Sequence, residues 1–155
     1  MGDTMKKEVI ILIAEDDEGH ALLIQKNLKR AGILNQMFHF RDGQEILDYL
    51  YKNNGHLSLD QNYSYLFLLD IRMPKVDGVE VLKRIKADKS LHKMPVIMIT
   101  TTDDPREVAL CHEYGCNNYI TKPIDYDKFS VAIQQLGLFL MITEIPDFVI
   151  MDTVK

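Results

Sequence analysis

The sequence predicts an α/β protein, a doubly wound five-stranded parallel sheet with helices on both faces. Three observations predict it. Short runs that are apolar at every position recur along the chain, and each is closed by polar residues. Between them lie stretches with apolar residues at helical spacing. Gly, Pro and Asp punctuate the joins. Uninterrupted apolar runs suit strands buried on both faces, and their alternation with helices implies right-handed crossovers.

The elements follow in order. Residues 9–14, VIILIA, are β-branched-rich and form the first strand. GHALLIQKNLKRAG carries Leu22, Leu23, Ile24, Leu28 and Ala31 as a helical stripe and stops at Gly32. QMFHF is a short second strand. Asp42-Gly43 opens a helix over 45–51 with Ile46, Leu47 and Leu50 inward. Residues 53–63 are polar, contain Asn53-Asn54-Gly55 and form a long loop. YLFLLDI is the third strand; Pro74 and Gly78 then turn the chain into GVEVLKRIKAD, with Val79, Val81, Leu82 and Ile85 as its face. Pro95 introduces the strand PVIMIT. Asp104-Pro105-Arg106-Glu107 starts a helix, with Asp as cap and Pro in the first turn, and Gly115 stops it. NNYIT is the last strand. Asp125 caps a final helix with Phe129, Ile133, Leu136 and Leu140 at i, i+4, i+7 and i+11.

Composition narrows the function. The chain has 155 residues, the size of one domain, and a formal charge of −5. That charge argues against direct nucleic-acid binding, which needs a basic footprint. The longest apolar runs, 9–14 and 138–142, are too short to cross a bilayer. No signal-peptide core follows the two lysines near the start, and Lys6 stands where a myristoylation site wants Ser or Thr. The expected location is the cytoplasm. Cys111 and Cys116 read as reduced thiols in or near the core, with no histidine at a metal-binding offset.

The polar residues that close the strands are the functional signal. The first strand ends in Glu15, Asp16 and Asp17, the third in Asp70, the fourth in Thr100, Thr101 and Thr102, and the fifth in Lys122. In an open parallel sheet, chemistry sits beyond the carboxyl ends of the strands. Taken singly, each has a bland explanation. An Asp after a strand caps the next helix, Lys-Pro is a surface turn, and a terminal Thr is incidental. Together, on one rim, they form a constellation. Two carboxylates about 4 Å apart repel by about 4 kcal/mol at an effective dielectric of 20. Lys122 supplies one counter-charge, and Mg²⁺, which takes carboxylate oxygens and retains open positions, suits the other. A carboxylate so placed is a workable nucleophile toward phosphorus.

ILIAEDD, LFLLDIRMPKVDGVEVL, PVIMITTT and NYITKPID together resemble the response-regulator receiver domain of two-component signalling, over residues 9–140. The resemblance implies a flavodoxin-like (βα)5 fold with strand order 2-1-3-4-5. It implies that Asp70 is the phospho-acceptor and that Glu15, Asp16, Asp70 and the backbone carbonyl of Arg72 hold Mg²⁺. Thr100 is then the switch hydroxyl, Lys122 the amine that pairs with phosphate and Tyr119 the aromatic switch. The Lys122–Pro123 bond is expected to be cis. A phosphohistidine on a sensor histidine kinase, or on a phosphotransfer protein, donates to Asp70. The surface of the fourth helix, fifth strand and fifth helix then switches to signal through protein contacts or phosphorelay. Arg72 and Thr102, two positions past the acceptor and the switch hydroxyl, tune phosphate lifetime; for Arg72 a kinase contact is the equal alternative. Such a chain catalyses its own aspartyl phosphorylation and dephosphorylation but is mainly a signalling protein.

Two features depart from a minimal receiver: the 53–63 loop and the apolar segment LGLFLMITEIPDFVIMDTVK. Both resemble the small stand-alone regulators that partner phytochrome-type histidine kinases. Residues 1–8 are then a lead-in and 141–155 an extension. Leu138, Phe139, Met141, Ile142 and Ile145 exceed what one core can bury, so they point to a homodimer through the last helix and extension, or to a tail folded back. His20, His39, His56, His92 and His112 are scattered and receive no phosphotransfer role. A pseudo-receiver acting only through protein contacts is the competing reading. A haloacid-dehalogenase-type phosphatase would need Asp where Arg72 stands. A dinucleotide-binding turn would need glycines in place of EDDEGH. The receiver reading requires Asp70, both acids and Lys122 to gather within about one screening length, in a shallow bowl open to solvent.

Overall fold

The structure is a computed structural model that describes residues 7–52, 57–142 and 145–151. Ten elements alternate: β1 (Glu8–Ala14), α1 (Glu18–Arg30), β2 (Met37–Phe40), α2 (Gly43–Leu50), β3 (Tyr63–Leu69), α3 (Gly78–Ala87), β4 (Val96–Thr100), α4 (Pro105–Glu113), β5 (Asn118–Thr121) and α5 (Tyr126–Ile142). All strand pairings are parallel and the order is β2-β1-β3-β4-β5, the flavodoxin-like order.

The strand alternation divides the core into two layers. Ile10, Leu12, Ala14, Tyr65, Phe67, Leu69, Val96 and Met98 face α2, α3 and α4. Ile11, Ile13, Leu66, Leu68, Ile97 and Ile99 face α1 and α5. Because both faces are covered, the central strands must be apolar throughout. The two helices on the second face are also pinned by polar groups. Buried Asn27 donates to the Leu23 carbonyl and to Ser130, and accepts from Gln134.

Some details differ from the sequence-based expectation. Leu22 is 52 % exposed, because three consecutive apolar residues cannot all face inward on a helix, and Leu23 and Ile24 take the core. The third strand begins at Tyr63 and ends at Leu69, so Asp70 and Ile71 lie just beyond it. The described residues contain no cis peptide bond, so Lys122–Pro123 is trans, the lower-energy isomer even before proline. Part of the expected 53–63 loop, residues 53–56, lies outside the described residues.

The chain beyond α5 turns back on its own domain. Phe148 is buried and packs edge-on against Tyr65, with ring centroids 5.6 Å apart. Ser64 Oγ donates to Asp147 (2.9 Å), and the amides of Ile150 and Met151 donate to Gln61 and Ser90. Ser64 and Tyr65 lie near the start of the central strand β3, so this segment packs at the end of the sheet opposite the carboxyl ends of the strands. Leu138, Phe139 and Met141 of α5 remain exposed.

Candidate functional site

Each site residue follows a strand that the core holds in place. β1 delivers Glu15, whose amide donates to the Phe40 carbonyl of β2 and whose own carbonyl meets His39 Nε2 at 2.7 Å. β3 delivers Asp70, whose amide donates to the Ala14 carbonyl (2.9 Å). β5 delivers Lys122, whose amide donates to the Thr100 carbonyl (2.7 Å) at the end of β4. Asp17, not Asp16, caps α1: its carboxylate accepts the His20 amide at 3.0 Å, and that bond is the main cause of its lowered pKa. Asp16 is thereby left to the rim, where it is exposed.

Two glycines let the backbone close around the acceptor. A Cβ at Gly78 would stand 1.9 Å from the Asp70 carbonyl oxygen, and one at Gly43 would stand 1.9 Å from the Val76 carbonyl oxygen. The segment from Asp70 to Val76 therefore runs against the first residues of α2 and α3. Lys75 within it adopts φ 68°, a left-handed conformation uncommon for a side chain of its size.

The carboxylates do converge. Oxygens of Glu15, Asp16 and Asp70 lie within 4.8 Å of one another. Lys122 Nζ bonds to Glu15 Oε1 and lies 3.3 Å from Asp70 Oδ2. All three of these groups are buried: Asp70 is 6 % exposed, Lys122 5 % and Glu15 1 %. The expectation of a shallow bowl open to solvent is therefore corrected. Asp70 keeps only 6 % exposure, in ion contact with Lys122, which also holds Glu15, and it reaches solvent beside the exposed Asp16. Asp16 is the acid that reaches outward, into a cavity of about 390 Å³ also lined by Arg72, Met73, Pro74, Asp77 and Glu107.

Burial, followed by the charge of Asp70, pushes the Glu15 carboxyl up to about 8, against the pull of Lys122. Lys122 meets only one oxygen of Glu15 and one of Asp70. Asp70 Oδ1, moreover, is buried and accepts no hydrogen bond. An orphaned carboxylate oxygen beside two more acids is what a hard divalent cation satisfies, so these residues fit Mg²⁺.

The other expected residues occupy a second ring. Thr100 is fully buried at the end of β4, and its Oγ1 lies 3.5 Å from the Thr102 amide. Tyr119 points its hydroxyl at the Thr102 carbonyl (2.8 Å), and burial raises its pKa. Arg72 does not reach Asp70: its Nη2 donates to Glu107 Oε1 at 3.0 Å. Two residues of this ring carried no functional signal in the sequence. His20 Nδ1 lies 3.1 Å from Lys122 Nζ and 3.9 Å from Asp17 Oδ2. Glu107 joins Arg72 to Thr102. A residue three past an Asp cap, and an acid in a helix's first turn, have ordinary local reasons to be there.

Comparison with known proteins agrees with this fold. The family model of the response regulator receiver domain matches residues 11–134. A probable methanogenesis regulatory protein, FilR2 of Methanothrix harundinacea, is 33 % identical over 87 % of this chain and 86 % of its own. A solved response regulator receiver domain from Rhodospirillum rubrum is 40 % identical, with a TM-score of 0.83 over 90 % of this chain and 98 % of that one. The phosphorylated cyanobacterial phytochrome response regulator RcpA is 29 % identical, with a TM-score of 0.77 over 91 % and 99 %. The chain belongs to the response-regulator receiver family. Within it, the chain resembles phytochrome and bacteriophytochrome response regulators. No helix among the described residues is long and apolar enough to cross a membrane.

Proposed function

We propose that this receiver domain takes a phosphoryl group from a histidine kinase's phosphohistidine onto Asp70, with Mg²⁺, and signals by rearranging the α4–β5–α5 surface. The observation that carries the reading is Asp70 itself. It is a buried carboxylate with one oxygen on an ammonium and the other free, beside two further acids. In the transfer, an Asp70 oxygen attacks phosphorus, the P–N bond to the donor imidazole breaks, and an acyl phosphate forms. Glu15, Asp16, Asp70 and the Arg72 carbonyl would hold Mg²⁺, which would supply positive charge against both the resting repulsion and the charge on the transferring group.

The chain's own residues do the rest. Lys122 already touches Asp70 Oδ2 and is placed to pair with a phosphoryl oxygen. Thr100 supplies a hydroxyl from the adjacent strand, and its departure opens room for Tyr119. The added phosphoryl brings close to two negative charges and three acceptor oxygens to one rim, enough to bias a two-state element. The kinase is of the phytochrome type, or a phosphotransfer protein stands in its place. Output runs through protein contacts or relay, and a homodimer through the exposed face of α5 fits the same surface.

Intact-mass analysis after incubation with a phosphorylated histidine kinase and Mg²⁺ tests the reading. One phosphoryl increment is expected, absent in Asp70→Asn and on chelation of the metal. A chain that binds neither phosphoryl nor beryllofluoride is a pure interaction module, which would overturn the proposal.

A further inference from the structure

Glu107 lies in the first turn of α4, 35 residues from Arg72 in sequence, yet its Oε1 receives two donors. Arg72 Nη2 approaches at 3.0 Å and Thr102 Oγ1 at 2.9 Å. Arg72 is two residues past the acceptor and Thr102 two past the buried hydroxyl of Thr100. One carboxylate oxygen therefore ties the loop after β3 to the loop after β4, across the mouth of the cavity that Asp16 also lines. The tie continues inward. Thr102 Oγ1 also receives the Asp104 amide (3.3 Å), and the Thr102 carbonyl receives the Tyr119 hydroxyl.

We propose that Glu107 is a positioning residue of the acceptor site, a resting latch on Arg72 and Thr102 that an anion on Asp70 opens by taking the Arg72 guanidinium. The inference rests on the reading of Asp70 as acceptor and adds a competition to it. A guanidinium prefers a phosphoryl or fluoroberyllate group, which it meets with two parallel bonds, to a single carboxylate oxygen. When Arg72 leaves, Glu107 keeps only Thr102, and the loop that holds the Tyr119 hydroxyl loses its anchor to β3. Glu107 is thus charged with keeping the unphosphorylated surface in place, and its loss favours the modified state.

The test is beryllofluoride affinity in saturating Mg²⁺, read by the summed intrinsic fluorescence of the seven tyrosines or by calorimetry. The chain and its Glu107→Gln, Arg72→Ala and double variants are compared. Glu107→Gln is expected to tighten binding about two- to five-fold, the span of one partly exposed ion pair. The same change in the Arg72→Ala background is expected to do nothing, because the competition has no object. Thr102→Val, which removes the second donor, is expected to shift affinity in the same direction as Glu107→Gln. Unchanged affinity in Glu107→Gln overturns the latch. So does an equal gain with and without Arg72, which would be plain charge repulsion between Glu107 and the anion. If the unaltered chain binds no beryllofluoride, the acceptor reading itself fails, and the latch with it.

Discussion

The two halves of the site rim are built differently. On the β1–β3 side, β3 is buried at every position from Ser64 to Leu69, and α3 buries Gly78, Val81, Leu82 and Ile85. Beyond β4, which is buried throughout, none of the four residues of β5 is buried, and α4 buries only Cys111. The first half holds the three acids. The second holds Thr102, Glu107 and Tyr119, linked by hydrogen bonds more than by packing. Regions with few buried apolar contacts open at low free energy, and switching elements are drawn from them. The difference teaches where each task can reside. Charges that repel one another need a rigid frame, whereas a surface that must rearrange needs a shallow one.

The ion cluster offers the harshest way to break the comparison. Lys122→Met leaves Glu15 and Asp70 buried without a counter-charge and is expected to cost about 3–5 kcal/mol at pH 8. The sign of its pH dependence follows from Glu15. A carboxyl whose folded pKa is raised from 4.5 to about 8 favours folding most fully below 4.5 and loses that contribution as pH rises through 8. Removing Lys122 raises it further, so the deficit should shrink as pH falls from about 9.5 to about 7, the span that crosses the folded value. Urea denaturation at both pH values measures it, and an equal loss at each would contradict the assignment.

A smaller pair of changes sharpens the contrast between helices. Leu82→Ala in α3, fully buried, should cost about 2–5 kcal/mol. Leu110→Ala in α4, half-buried, should cost about 1 kcal/mol, since less apolar surface leaves contact. Denaturant midpoints of the two variants give the comparison directly, and equal losses would mean that α4 is as firmly packed as α3.

Much of this arrangement is legible in the sequence, for a simple reason. An apolar run must end where the sheet meets water, so Glu15, Asp16, Asp70 and Lys122 announce the rim by position alone. Asp104-Pro105 and Asp42-Gly43 declare helix starts through local backbone chemistry, and both caps are present. What depends on the direction of a side chain across many residues is not legible. Glu107 looks like a helix-start acid until Arg72 is seen beside it. His20 looks like an exposed turn residue until Lys122 arrives from the far end of the chain. The tail shows the same limit. Its apolar residues are plain in the sequence, but only the structure places Phe148 against Tyr65 rather than against a second copy.

Hydrogen exchange of the full chain, with and without beryllofluoride and Mg²⁺, tests the central claim most directly. An acceptor at Asp70 that works through the loosely packed half predicts altered protection across residues 101–121, with the amides of α3 unchanged. Saturating ligand that leaves 101–121 untouched, or that shifts α3 equally, would contradict it.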